Sequence, residues 1–329
     1  MTWSGRRVLV TGADGFIGSH LAEALVRAGA TVRAVCFYNS QGSLGWLDTV
    51  EPDVRGALDA RLGDIRDSRF VEESCDGVEV VFHLAALISI PYSYQAPESF
   101  VDTNVRGTLN VLEAVRRARC ARLVHTSTSE VYGTPETIPI RESHPLRGQS
   151  PYSATKIAAD KLCEAFRCTY DVPVVILRPF NTFGPRQSAR AVIPTILLQL
   201  LRQAPHITLG NLEPRRDLTF VSDTVAGFVA AGTAQGIEGE TIHLGTGRAE
   251  SVRDIVAAAQ RVCEQEANVV VCPERIRPSR SEVMVLQSDP SRATDLLGWR
   301  AKVSLDEGLR RTAEWLRAHL DRFPVDYVI

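Results

Sequence analysis

The sequence predicts an α/β fold: a doubly wound parallel sheet with a smaller C-terminal α/β domain. Three observations lead there. Short β-branched runs alternate with helical patterns through the first half of the chain. The glycine-spaced segment VTGADGFIGSH directly follows the first of those runs, and after about Pro179 the rhythm loosens. Strands separated by helical crossovers pair in parallel and need cover on both faces.

Taken in order, RVLVTG is the first strand, and a helix is predicted from Ser19 to about Ala28. TVRAVCF and VEVVFHLAA follow as strands, then an amphipathic helix over Thr103–Arg119, the strand RLVHTSTS, a helix from Pro151 and the strand VPVVILRPF. Ligands of such sheets bind beyond the strands' carboxyl ends. GPRQSARAVIPTILLQLL holds a Gly-Pro turn, a basic loop and an apolar helix. RRDLTFVSDTVAGFVAA reads as a return to the first domain, with Asp223 as a helix cap. SDPSRATDLLGW and SLDEGLRRTAEWLRAHL close the chain as helices. Two interleaved domains are expected: residues 1–178 with about 217–245, and residues 179–216 with 246–329.

Composition narrows the function. A net charge of −2 gives no footprint for nucleic acid or an anionic membrane. No window approaches a membrane span, and the N-terminal apolar run is too short for a signal peptide, so a cytoplasmic protein is expected. The seven cysteines lack C-x-x-C spacing, which argues against a disulfide framework or a metal site and for buried reduced thiols.

Gly12, Gly15 and Gly18, with Phe16 and Ile17 between the last two, lie where a strand turns into a helix. Glycines let the backbone approach a pyrophosphate, and the helix N-terminus favours its charge. Strand, loop and helix in this order point to a dinucleotide-binding domain of the Rossmann type. The G-x-x-G-x-x-G spacing resembles the extended short-chain dehydrogenase/reductases. Cofactor choice is less defined: the second strand ends AVCFYNS, with Cys36 where related enzymes often carry Asp, and no arginine replaces it. NAD is favoured and NADP stays open. The resemblance implies that Asp64 and Ile65 of GDIRD flank the adenine, and that Leu84, Ala85 and Ala86 of HLAA line the cofactor channel. His83 reads as a packed core residue.

SPYSATK places Tyr152 and Lys156 one helical turn apart, with Ser150 as cap and Pro151 at the first position. A cation beside a phenol favours the phenolate, which would make Tyr152 a general base near neutral pH. Thr128, in TSTSEVYG, is the hydroxyl expected to hold the alcohol being oxidised. Hydride transfer alone requires no carboxylate beside it, yet Glu130 is there. Oxidising an alcohol to a ketone acidifies the adjacent carbon, and Glu130 is placed to remove that proton and assist loss of a neighbouring hydroxyl.

TSTSEVYG, GQSPYSATK, RPFNTFGPRQSARAVIP, RRDLTFVSDT and RPSRSEV together resemble the nucleotide-sugar 4,6-dehydratases. The likeness is nearest to the legionaminic-acid-pathway type, acting on nucleotide-linked N-acetylglucosamine, and runs from Val8 to about Trp315. The order Thr128-Ser129-Glu130, three residues the resemblance implies are catalytic, is also that of GDP-mannose 4,6-dehydratases; glucose-type enzymes carry Thr-Asp-Glu, so no separate Asp acid is present, and Glu130 would serve twice or water would help. The resemblance implies a tightly bound, recycled NAD and a nucleotide-sugar substrate. Asn181, Arg190, Arg216 and Arg277 would hold its diphosphate or ribose. Asn104 would steady the active-site helix. Ala154, Ala158 and Ala165 form a small-residue stripe that core packing explains first. The family implies a homodimer. A C-4 epimerase, a decarboxylase of nucleotide-linked glucuronate and a non-enzymatic NAD(P)-binding sensor are the competing readings.

Overall fold

The β-branched runs of the first half form strands, and the segments between them carry helices. The computed structural model describes residues 2–324. In chain order the strands are β1 (Arg7–Thr11), β2 (Thr31–Phe37), β3 (Leu58–Gly63), β4 (Val80–His83), β5 (Arg122–Thr126) and β6 (Val174–Pro179). They continue with β7 (Asn181–Phe183), β8 (His206–Leu209), β9 (Arg215–Phe220), β10 (Thr241–Leu244), β11 (Ala249–Ser251), β12 (Asn268–Val271) and β13 (Val285–Leu286).

Seven of them make one parallel sheet in the order β10-β6-β5-β4-β1-β2-β3. Period-two alternation sends Val8, Val10, Phe82 and Val124 to one apolar layer and Leu9, Val81, Leu123 and Val174 to the other. Strand order reverses between β1 and β4, so a crevice opens beyond their carboxyl ends. The smaller sheet is centred on β9, which pairs with β7, β11 and β13, while β8 pairs with β12. The helix Val221–Thr233 then leads back to β10 at the edge of the large sheet.

Several local expectations change. The first helix opens at Phe16 rather than Ser19, because Gly15 is already its N-cap. Gly18 belongs inside this helix; a Cβ there would stand 2.0 Å from the Gly12 carbonyl oxygen. The helix expected over Thr103–Arg119 is a wide i→i+5 turn, Val101–Arg106, running into an α-helix over Gly107–Ala118. Asp223 is not a cap. It lies in the first turn of its helix and accepts hydrogen bonds from the amides of Lys302 and Val303, both 2.8 Å, tying down the C-terminal segment.

The alanine stripe is not in the core. Ala154 and Ala165 are exposed and Ala158 half-buried, because the buried face of the Pro151–Tyr170 helix is Tyr152, Lys156, Ala159, Asp160 and Cys163. Cys36, Cys75, Cys120 and Cys163 are buried thiols, whereas Cys168 is exposed and Cys263 and Cys272 are half-buried. Among the described residues, no helix is long and apolar enough to cross a membrane, and no cluster could hold a metal ion.

Candidate active site

The site forms where β5 meets the Pro151–Tyr170 helix. Ser150 caps that helix, accepting from the Ser153 amide at 3.1 Å, while Ser153 Oγ accepts from the Ser150 amide at 3.0 Å. This reciprocal box, with Pro151 at the first position, fixes the starting point of the helix. Tyr152, Lys156 and Asp160 then follow at intervals of one turn on the buried face.

Opposite them the chain leaves β5 extended, and alternate residues Thr126, Thr128 and Glu130 are half-buried while Ser127 and Ser129 are buried. The two spacings match: a helical turn rises about 5.4 Å, and two extended residues span about 6.6 Å. Lys156 Nζ therefore meets the Thr126 carbonyl at 2.6 Å, and the Tyr152 phenol stands beside the Thr128 hydroxyl. Thr128 also caps the short turn Ser129–Tyr132, its Oγ1 accepting from the Glu130 amide at 3.2 Å.

Burial pushes the Tyr152 phenol above its ordinary value; the Thr128 hydroxyl opposes this, and the charges of Glu130 and Asp160 add to it. The expected lowering by Lys156 is thus not realised. The ammonium is itself desolvated, which lowers its pKa despite the nearby Asp160 charge, and it is engaged by the Thr126 carbonyl.

Behind these residues lies a polar chain absent from the sequence reading. Asp160, fully buried, accepts from Ser127 Oγ at 2.7 Å and from Arg178 Nε and Nη2 at 3.2 and 2.9 Å. Arg178 Nη1 donates to the Tyr132 hydroxyl at 2.7 Å, which lies 2.5 Å from His243 Nε2. The signal was present: an arginine inside the apolar strand VVILRP needs a buried partner.

The glycine loop closes against the exit of β4. Gly12 has φ 70°, and a Cβ there would lie 2.7 Å from the Ala85 amide nitrogen. The amides of Leu84 and Ala85 both lie 3.2 Å from Thr11 Oγ1, which ties the chain leaving β4 to the end of β1, and the half-buried Ala86 follows. With no room for side chains, and with the Phe16–Arg27 helix beginning at the crevice, this cradle fits a dinucleotide pyrophosphate. His83 is a packed core residue, its ring held between Thr11 Oγ1 at 2.8 Å and Thr108 Oγ1 at 3.0 Å. Ile65 is buried against Gly107, whereas both Asp64 oxygens are engaged by Arg66. Asn104 brackets Leu87 with bonds to its amide and carbonyl, and donates to Thr155 Oγ1 at 3.1 Å between Tyr152 and Lys156.

Of the residues expected to grip substrate, Asn181 lies in β7, Arg216 in β9, which pairs with it, and Arg277 on the segment between β12 and β13. Arg216 is buried and lies 3.4 Å from Glu282, and Arg277 contacts the same carboxylate at 3.6 Å. Desolvation lowers the Arg216 pKa, while the charge of Glu130 acts against that, which places the guanidinium within electrostatic reach of the β5 exit. Asn181 pairs across to Leu218, two residues from Arg216, and its Oδ1 is buried without a hydrogen-bond partner among the described residues. Arg190 stands apart on an exposed loop, its amide bonded to Ser188 Oγ.

Known proteins are similar to this chain along most of its length. The sequence model of the GDP-mannose 4,6 dehydratase family matches residues 9–312. A UDP-glucose 4-epimerase of Mycolicibacterium smegmatis is 33% identical, the match covering 94% of this chain and 98% of that protein. A dTDP-glucose 4,6-dehydratase of Actinoplanes sp. is 31% identical over 95% of this chain and 98% of its own. Among solved structures, the UDP-glucuronic acid 4-epimerase of Bacillus cereus with UDP-glucuronic acid and NAD superposes with a TM-score of 0.84 at 28% identity, covering 95% of this chain and 99% of that one. The NAD-dependent NDP-hexosamine 5,6-dehydratase TunA of tunicamycin biosynthesis superposes with a TM-score of 0.81 at 29% identity, covering 95% and 98%. The chain belongs to the GDP-mannose 4,6-dehydratase-like family of extended short-chain dehydrogenase/reductases, the NAD-dependent dehydratases and epimerases of nucleotide sugars.

Proposed function

We propose that the protein is a nucleotide-sugar 4,6-dehydratase, a hydro-lyase that converts an NDP-hexose to its 4-keto-6-deoxy derivative. UDP- or GDP-N-acetylglucosamine, or a related NDP-hexose, is the substrate class. The observation that carries this reading is Glu130, a half-buried carboxylate in the turn that Thr128 caps, whose charge raises the Tyr152 phenol and acts on the Arg216 guanidinium.

Thr128 holds the C-4 hydroxyl, and Tyr152 receives its proton. A nicotinamide cofactor held in the glycine cradle would supply reversible hydride acceptance between C-4 and C-6, and its positive charge when oxidised would favour the Tyr152 phenolate. Lys156, fixed on the Thr126 carbonyl, holds its charge one turn from the phenol. With C-4 a ketone, Glu130 takes the C-5 proton, and its acid form gives that proton to the departing C-6 hydroxyl, which leaves as water. A solvent proton then enters C-5. Ser129 continues this segment, and its hydroxyl cannot replace the missing second acid, so Glu130 serves twice.

Gly12, Gly15, Phe16, Ile17 and Gly18 cradle the pyrophosphate; Asp64 and Ile65 flank the adenine, and Leu84, Ala85 and Ala86 line the channel. NAD is the cofactor, tightly held because each turnover regenerates it. Arg216, Arg277 and Asn181 hold the substrate's diphosphate and ribose, and Arg190 is a further candidate ligand from its exposed loop. The protein works as a cytoplasmic homodimer.

The test is turnover in heavy water with UDP- and GDP-N-acetylglucosamine, read by mass spectrometry and NMR. The expected product has lost water and carries one deuterium at C-5. An isomer of unchanged mass would instead identify a C-4 epimerase, in which Glu130 is idle. Loss of carbon dioxide from a nucleotide-linked uronate would identify a decarboxylase.

A further inference from the structure

The end of β2 poses a problem for a dinucleotide site. An acidic residue there ordinarily accepts hydrogen bonds from the adenosine ribose, yet this strand ends in a fully buried Cys36 followed by Phe37 and Tyr38, 59% and 64% exposed. No side chain of β2 itself offers a carboxylate at that point.

The glycine loop brings one from the other side. The Ala13 amide donates to Val35 O at 3.0 Å, so residue 14 lies level with Cys36 and Phe37. Asp14 is half-buried, with its carboxylate beside the Phe37 amide. The loop after β2 fixes it there. Trp46 N donates to Asp14 O at 3.0 Å, and Gly45 (φ 60°) comes so close that a Cβ would lie 2.8 Å from Asp14 Cβ. That loop is itself tied: Asn39 Oδ1 accepts from the Ser43 amide at 3.0 Å, and Asp48 Oδ2 from the Leu44 amide at 2.9 Å.

We infer that Asp14 supplies the carboxylate that β2 lacks, and that it selects a dinucleotide with a free adenosine 2′-hydroxyl over one carrying a 2′-phosphate. The inference rests on the dinucleotide-binding reading. Asp14 has no salt-bridge partner among the described residues, and partial burial raises its pKa, so a hydroxyl donor relieves it while a phosphate brings like charge against it. Arg66, at the exit of neighbouring β3, is no counterweight, because its guanidinium is engaged by Asp64.

The experiment is calorimetric titration of the full chain, stripped of bound nucleotide, with NAD and with NADP, for wild type, Asp14→Asn and Asp14→Ala. The amide keeps the shape and removes the charge, so it reports even if the alanine variant folds poorly. Wild type is expected to prefer NAD. Asp14→Asn is expected to narrow the NAD:NADP affinity ratio by about 10-fold to 100-fold, the worth of one charge-assisted hydrogen bond. An unchanged ratio in a natively folded variant that still binds NAD overturns the role of Asp14 alone. A wild type that prefers NADP also overturns it, and one that binds neither dinucleotide overturns the cofactor reading with it.

Discussion

Arg178 and Asp160 form an ion pair of 2.9 Å behind the turn Ser129–Tyr132, and their other contacts hold that turn at both ends. Ser127 Oγ is fixed on Asp160 and the Tyr132 hydroxyl on Arg178, so residues 128–131 are strung between two buried anchors. Burial alone would raise the Asp160 carboxyl. The His125 ring, the Arg178 charge and the Ser127 hydroxyl outweigh it and hold the group below the ordinary carboxylate range.

Asp160→Asn leaves Arg178 buried without its anion. The expected loss is about 3–5 kcal/mol of folding stability, measured by urea unfolding at neutral pH. A loss under about 1 kcal/mol, the level of an exposed pair, would show that the anchor is not formed in solution.

Glu130→Gln separates oxidation from water loss. The variant is expected to reduce its bound cofactor on adding substrate, seen as nicotinamide absorbance. Its deoxygenated product should form about 10²–10⁴-fold more slowly. Unimpaired dehydration would remove Glu130 from the chemistry.

The raised phenol of Tyr152 has an optical consequence. A spectral titration of the nucleotide-free protein, minus that of Tyr152→Phe, should show no phenolate at neutral pH. Adding NAD should bring the phenolate signal down in pH. Turnover by the Phe variant should fall by about 10²–10⁴-fold.

Acid should destabilise the fold before the carboxylates titrate. Burial, with the Arg178 charge, lowers His243 to about 3, and burial with the His125 and Lys156 charges holds His83 well below its ordinary value. Between the unfolded value, about 6.5, and these folded values, the unfolded chain binds more protons, so stability falls as pH falls. Each group contributes a slope of about 1.4 kcal/mol per pH unit in that window. Urea unfolding of His243→Gln between neutral and mildly acidic pH should show the slope reduced by one group's share.

Much of this was legible in the sequence because it is local. Gly12, Gly15 and Gly18 announce a cradle through spacing, and Tyr152 and Lys156 share a face by helical period. What was hidden depends on distant pairing. Periodicity identifies a stripe of Ala154, Ala158 and Ala165 but not which face of the helix the core covers. β2 ends in Cys36 and Phe37 with no acid of its own, while the carboxylates acting on the Cys36 thiol belong to Asp14 on the preceding loop and Asp48 on the following one. Tyr152 and Lys156 lie close in sequence, yet the field at the phenol is set by burial and by carboxylates from two elements.

The route of the chain out of the large sheet and back constrains how the molecule can be cut. β10 arrives after an excursion through β7, β8 and β9, yet it zips onto β6. A fragment ending near Phe183 would keep the glycine cradle and the tyrosine, but would bare the whole flank of β6 as an unprotected sheet edge. Such a piece should self-associate, so a minimal dinucleotide-binding module cannot be obtained here by truncation.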